Sequence, residues 1–179
     1  MIRTATFLLA AALGLATAAT AHASSAPLAG PGQMIYQHDG TETTRCTIGF
    51  AARDTAGHRL AVTAGHCGVP GQPVYTRDGQ RLGAYVDVRP DDLSTQTYGY
   101  AFIALDPDVD MTAAISQTQD IDHPGTARPG DIVCMYGTTS GMQCSALETA
   151  TDQAATTIGA ITNGGDSGAP VVRLQDSAL

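Results

Sequence analysis

Asn163-Gly164-Gly165-Asp166-Ser167-Gly168-Ala169-Pro170-Val171-Val172 lies near the end of a chain of 179 residues. Glycines on both sides of an acid–serine pair let backbone N–H groups turn toward a single point. Converging donors of that kind are what a carbonyl oxygen needs as its carbon becomes tetrahedral. Serine is a weak nucleophile until a base takes its proton, so the stretch has chemical meaning only with a matching histidine. The chain holds five histidines. His22 lies in an apolar leader, and His38, His58 and His123 stand in polar, turn-like or linker sequence. His66 differs, because Val62-Thr63-Ala64-Gly65-His66-Cys67 places it at the end of an apolar run and beside a cysteine able to clamp it.

Between these two segments, short apolar or alternating runs stand between turn signals. They include Cys46-Thr47-Ile48-Gly49-Phe50, Arg59-Leu60-Ala61-Val62-Thr63, Leu82-Gly83-Ala84-Tyr85-Val86-Asp87-Val88, Tyr100-Ala101-Phe102-Ile103-Ala104-Leu105 and Ile132-Val133-Cys134-Met135-Tyr136. Asp54-Thr55-Ala56-Gly57, Asp78-Gly79, Asp106-Pro107 and Pro129-Gly130-Asp131 separate them. Regularly spaced strands without helical periodicity predict an all-β fold, a barrel or a sandwich. The chain has four cysteines, an even number that fits two disulfides in an oxidising compartment. Their spacing lacks the CxxC pairs and following histidines of a zinc site, so no metal is expected.

Thr63-Ala64-Gly65-His66-Cys67, followed about a hundred residues later by Gly165-Asp166-Ser167-Gly168-Ala169-Pro170, resembles the chymotrypsin-like serine proteases. The likeness is to the bacterial branch that contains the streptogrisins and alpha-lytic protease. It extends to Cys46-Thr47-Ile48-Gly49-Phe50 and to Cys134 through Cys144, and it covers roughly Cys46 to Val172. The resemblance implies two antiparallel six-stranded β-barrels with the site in the cleft between them. His66 would be the general base and Ser167 the nucleophile. The N–H groups of Gly165 and Ser167 would form the oxyanion hole, and Asp166 would shape the loop through a buried ion pair. It also implies the disulfides Cys46–Cys67 and Cys134–Cys144, a peptide or protein substrate, and neither cofactor nor metal. Two loops closed in this way would each contribute about 3 kcal/mol or less.

Three departures from the family pattern stand out. The triad Asp of the family directly precedes a strand like Tyr100–Leu105, and Gly99 occupies that position here. Glycine cannot orient an imidazole, and loss of the carboxylate costs about 10⁴-fold in turnover. Asp92 and Asp110 are the alternative acids. Twelve residues follow Ser167, fewer than the strands that complete a second barrel and wall a specificity pocket, so that barrel is expected to be incomplete. Ile161 would lie near the floor of such a pocket. Finally, only 22 residues separate the predicted leader from Cys46, so no large folding pro-segment is expected.

The leader itself is Arg3, the apolar run Phe7–Ala16 and the small residues Ala21-His22-Ala23, which predict a secretory signal peptide over 1–23. The remaining 24–179 form one protease-like domain, with a first barrel about 33–111, a linker about 112–128 and a partial second barrel about 129–179. The chain lacks lysine and carries a formal charge of −8. That balance repels a phosphate backbone and argues against nucleic-acid binding, and no stretch beyond the leader approaches membrane-spanning length. The expected activity is that of a secreted serine endopeptidase, reduced if Gly99 truly replaces the acid. The alternatives are a secreted binding module that keeps the fold without turnover, and an esterase of another fold. The last is disfavoured because Ala169 breaks the G-x-S-x-G elbow.

Overall fold

The computed structural model describes residues 25–173 apart from 39, 41, 96, 118, 122, 152 and 153. The predicted signal peptide lies outside the described residues. What is described is all-β, with thirteen strands and a single short 3₁₀ turn. No helix among the described residues is long and apolar enough to cross a membrane.

Seven strands form the larger sheet: β2 (Met34–His38), β3 (Thr43–Thr47), β4 (Phe50–Arg53), β5 (Arg59–Ala64), β6 (Pro73–Tyr75), β7 (Arg81–Arg89) and β8 (Tyr100–Leu105). Their order is β3-β2-β6-β7-β8-β5-β4. The two ends of that order are neighbours in the chain, separated only by Ile48 and Gly49. Ile48 N–H donates to Gln33 O at 2.8 Å on one side, and Gly49 N–H to Val62 O at 2.8 Å on the other. The sheet therefore curls onto itself. With β3 and β4 as one bent strand, it is the six-stranded barrel that the family resemblance implied, and closure removes its open edges.

Alternation explains what fills it. Ala61 and Thr63 of β5, Ala101 and Ile103 of β8, and Ile35 and Gln37 of β2 point inward. In β7 the period breaks, since Tyr85 pairs with Ile103 but Asp87 with Phe102, leaving Val86 as an extra residue. This bulge turns Val86 and Asp87 outward and returns Val88 to the core. Tyr85 is buried, with its hydroxyl 3.1 Å from Gln37 Oε1 and 3.3 Å from Cys67 O. Loss of solvent pushes its phenol well above the ordinary range. The ring thereby buttresses the backbone of Cys67, one residue from His66.

The smaller sheet has the order β12-β11-β10-β13. It comprises β10 (Ile132–Gly137), β11 (Gly141–Ala150), β12 (Ala155–Thr157) and β13 (Val171–Arg173). Cys134 and Cys144 face each other directly across the β10–β11 pair and are disulfide-bonded. This sheet buries few apolar side chains, chiefly Val133, Cys134 and Leu147, while Ile132, Met142 and Val171 stand exposed. A short parallel pair, β1 (Leu28–Ala29) with β9 (Asp110–Met111), ends the first lobe. From there to β10 the described residues are irregular apart from a bridge between Ala114 and Asp120.

Cys46 and Cys67 are also disulfide-bonded, 21 residues apart against 10 for the other pair. Replacing Cys46 and Cys67 by alanine should cost about 3 kcal/mol. It should also cost more than the same replacement of Cys134 and Cys144, because the longer loop constrains the unfolded chain more. Denaturant midpoints of the two double variants against the oxidised parent check both statements.

Candidate active site

His66 sits in the 3₁₀ turn Gly65–Cys67 that ends β5. The position of that turn is set by an unusually close approach of backbones. A Cβ on Gly65 or on Gly99 would collide with the Arg89 carbonyl oxygen, so only glycine at both places lets the three segments meet. Gly65 N–H donates to Gly99 O at 3.1 Å and closes the arrangement. The chain leaving Arg89 then passes through Pro90 and delivers Asp91 beside the ring.

Asp91 Oδ2 lies 2.7 Å from His66 Nδ1. Its other oxygen, Oδ1, accepts the Gly99 N–H at 2.7 Å. The Asp91 side chain is 17% exposed and that of His66 52% exposed. Burial alone would raise the Asp91 carboxyl, yet the Gly99 N–H and the His66 ring together hold it below the ordinary range. It is thus an ionised acceptor fixed at both oxygens. Fixing Nδ1 in this way leaves Nε2 outward, where it has no protein partner among the described residues.

The carboxylate beside His66 is therefore Asp91, and the expectation placed on Gly99 needs correction. Gly99 stands beside the carboxylate and donates to it. Asp92, one of the two sequence candidates, instead caps the 92–97 turn, accepting from Ser94 N at 3.0 Å and Ser94 Oγ at 2.6 Å. Asp110, the other, is exposed in β9 opposite Leu28. A signal for Asp91 was present. It follows the end of a long strand whose Arg89 pairs with Tyr100, so it reaches the spot beside Gly99 from the opposite arm of the hairpin.

Ser167 is carried by the loop before β13, and that loop lies against the turn of His66. Thr47 N–H donates to Ser167 O at 2.8 Å, and Cys67 Sγ is 3.9 Å from the same oxygen. Gly168 has φ +86°, and a Cβ there would strike Thr63, Thr47 O and Ala64 N. Ser167 O thus lies near Cys67, and Gly168 lies against Thr63 and Ala64. Cys46, His66 and Cys67 also place ligand-type atoms within 4.8 Å of one another, but both sulfurs are committed to the disulfide and offer no thiolate to a metal.

Asp166 is 4% exposed. Its Oδ1 accepts Thr139 N–H at 2.8 Å and Ser140 N–H at 3.1 Å, and its Oδ2 accepts Asn163 N–H at 2.9 Å. No cation pairs with it among the described residues, so backbone amides do the work expected of an ion pair. Burial opposes ionisation, but the bonds from Ser140, Asn163 and Thr139 prevail and keep the carboxyl below its ordinary range. Ile161 is 64% exposed, so it floors no pocket among the described residues. The other described histidines pair locally, His38 with Thr43, His58 with Asp54 and His123 with Pro124 O.

A closed barrel and a smaller disulfide-bonded sheet are the architecture of the chymotrypsin-like fold. The solved structures it resembles agree. Thermobifida fusca protease A superposes with a TM-score of 0.63 at 22% identity, over 81% of this chain and 77% of its own. Nocardiopsis protease does so at 0.61 and 24%, over 82% and 79%, and the alpha-lytic protease homolog N4 at 0.57 and 23%, over 82% and 80%. The fold is that of the bacterial chymotrypsin-like serine proteases. No family model matches the chain. Two curated Mycobacterium tuberculosis sequences, uncharacterized protein Rv1815 of strain H37Rv and uncharacterized protein MT1863 of strain CDC 1551, are 31% identical over 156 residues. That match covers 82% of this chain and 67% of theirs, and the chain belongs to their family.

Because the folded pKa of Asp166 is depressed below 3.8, its contribution to stability is complete above the unfolded value and is lost as pH falls through the folded one. Asp166→Asn, which cannot accept all three amides as a carboxylate does, should cost about 2 kcal/mol or more at neutral pH. The gap to the parent should shrink progressively below about pH 4. Thermal or urea melts of the two proteins between pH 2 and pH 8 would show it.

Proposed function

We propose that this protein is a secreted serine endopeptidase that cleaves peptide bonds through an acyl-enzyme on Ser167. The observation that carries the reading is the bond from His66 Nδ1 to Asp91 Oδ2 at 2.7 Å, with Asp91 held on its far side by Gly99. An imidazole so held keeps Nε2 free as an acceptor and is stabilised when it becomes an imidazolium. In this mechanism Ser167 Oγ attacks the scissile carbonyl while His66 Nε2 takes the hydroxyl proton. His66 then returns that proton to the leaving amine. A water deprotonated by His66 next hydrolyses the ester and frees Ser167.

The N–H groups of Gly165 and Ser167 are the donors for the developing oxyanion. Neither has a protein acceptor among the described residues, whereas Asp166 N and Ala169 N between and after them are bonded within the loop, to Asn163 O and Asp166 O. The two disulfides and the leader sequence support export to an oxidising compartment. The rival reading, a binding module without turnover, drew on the missing acid at Gly99 as well as on the few residues after Ser167, and Asp91 beside His66 answers the first of these.

A fluorophosphonate probe should label the oxidised protein, and Ser167→Ala should abolish the labelling. Asp91→Asn should slow labelling by about 10³- to 10⁴-fold by forcing the wrong ring tautomer, while Asp92→Asn and Asp110→Asn should change it less than threefold. Absence of labelling in folded wild-type protein would refute the proposal.

A further inference from the structure

Four consecutive carbonyls of the serine loop are each held by a donor. Gly164 O accepts Thr139 Oγ1–H at 2.9 Å. Gly165 O accepts Thr47 Oγ1–H at 2.8 Å and Thr138 Oγ1–H at 3.1 Å. Asp166 O accepts Ala169 N–H at 2.9 Å, and Ser167 O accepts Thr47 N–H at 2.8 Å. In a trans peptide the carbonyl of one residue and the N–H of the next point in opposite directions. Holding every carbonyl from 164 to 167 therefore fixes every peptide plane of the loop, including the two whose N–H groups are left without protein acceptors.

The donors divide unequally between the lobes. Thr138 and Thr139 follow β10, and Ala169 belongs to the loop itself, so all three move with the smaller sheet. Thr47 alone comes from the barrel that carries His66, and it holds two of the four carbonyls, Gly165 O and Ser167 O, whose peptide planes adjoin the two that carry the free N–H groups. Its surroundings are rigid. Thr47 is fully buried, its carbonyl accepts Thr63 Oγ1–H at 2.7 Å, and Cys46 before it is bonded to Cys67 beside His66. Its hydroxyl has one proton, which the shorter, buried bond assigns to Gly165 O, and the oxygen accepts Thr138 N–H at 3.3 Å.

We infer that Thr47 is a positioning residue, the part through which the His66 barrel sets the oxyanion loop in register with the imidazole. The inference rests on the serine hydrolase reading above and adds to it a residue that touches neither the substrate nor the reacting atoms. A side chain that merely filled the core would act through its volume. Thr47 acts on Gly165 O through its hydroxyl, whereas its hold on Ser167 O is through a backbone N–H that side-chain substitution leaves in place, so hydroxyl and volume can be separated.

Thr47→Ser and Thr47→Ala both lack the γ-methyl and differ only in the hydroxyl, while Thr47→Val keeps the shape and loses the hydroxyl. The readout is phosphonylation of Ser167 by a fluorophosphonate, with the saturating rate constant resolved from the half-saturating concentration. Thr47→Ala should react at least about tenfold more slowly than Thr47→Ser at saturation, and Thr47→Val more slowly than wild type by a similar factor. Loss of an oxyanion donor outright, at about 10²- to 10³-fold, is the ceiling. The half-saturating concentration should stay within about twofold and the pH midpoint of the rate should not move. Equal rates for the serine and alanine variants would overturn the role of Thr47, as would a drop that tracks melting temperature or a shifted pH midpoint. If Thr47→Val does not fold, the serine–alanine comparison decides alone. A folded wild type that is not labelled overturns the hydrolase reading and this role with it, whereas a labelled wild type with indifferent Thr47 variants overturns this role only.

Discussion

The arrangement of the site depends on one crowded point, where the carbonyl of Arg89 passes between the backbones of Gly65 and Gly99. No side chain larger than hydrogen fits at either glycine without moving a main chain. That approach does three things together. It seats the turn of His66 against the β7–β8 hairpin, it turns the Gly99 N–H toward Asp91, and it gives Asp91 a path from the end of β7 to the ring. An alanine at either glycine would have to separate the segments, and a separation of even 1 Å is large for a hydrogen bond of 2.7 Å.

The same crowding explains why the acid was hard to read from sequence. Motif and strand pattern placed His66 and Ser167 because each sits in a locally distinctive stretch, a cysteine-flanked strand end and a run of glycines. Asp91 sits in Arg89-Pro90-Asp91-Asp92, where nothing local separates it from its neighbour. The choice between the two is made by the hairpin register, Arg89 against Tyr100, which depends on a bulge at Val86. A bulge leaves little trace in the alternation of apolar residues, and one residue of slip changes which side chain faces the histidine. Asp166 is a related case. Its importance was legible, but not its partners, since backbone amides have no letter in the sequence.

The fold was more legible than the site's third member because its constraints are long and repeated. Alternating strands, turn residues and the placement of Cys46, Cys67, Cys134 and Cys144 all point the same way. Even so, the expectation of two barrels, the second incomplete, does not convey how unequally the described residues are packed. The first lobe owns nearly the whole buried cluster, from Ile35 to Val109, whereas the smaller sheet keeps only a few buried apolar positions. Rigidity therefore belongs chiefly to the barrel with the imidazole.

That asymmetry gives the contacts between lobes an importance beyond their number. In the function proposed, a loop that must aim two N–H groups at one oxygen cannot rely on a thinly packed sheet alone, because small rotations of that sheet would carry the donors away from the reacting carbon. The loop is instead tied back to the stiffer partner at Thr47, at Gly168 against Thr63 and Ala64, and at Cys67. All of these residues lie on β3, β5 or the turn of His66, and the Cys46–Cys67 bridge joins the first of these elements to the last. His66 and Ser167 are consequently referenced to one short piece of covalently linked backbone. Their mutual geometry then depends less on how well the second lobe is packed than on a few hydrogen bonds and one disulfide at the seam.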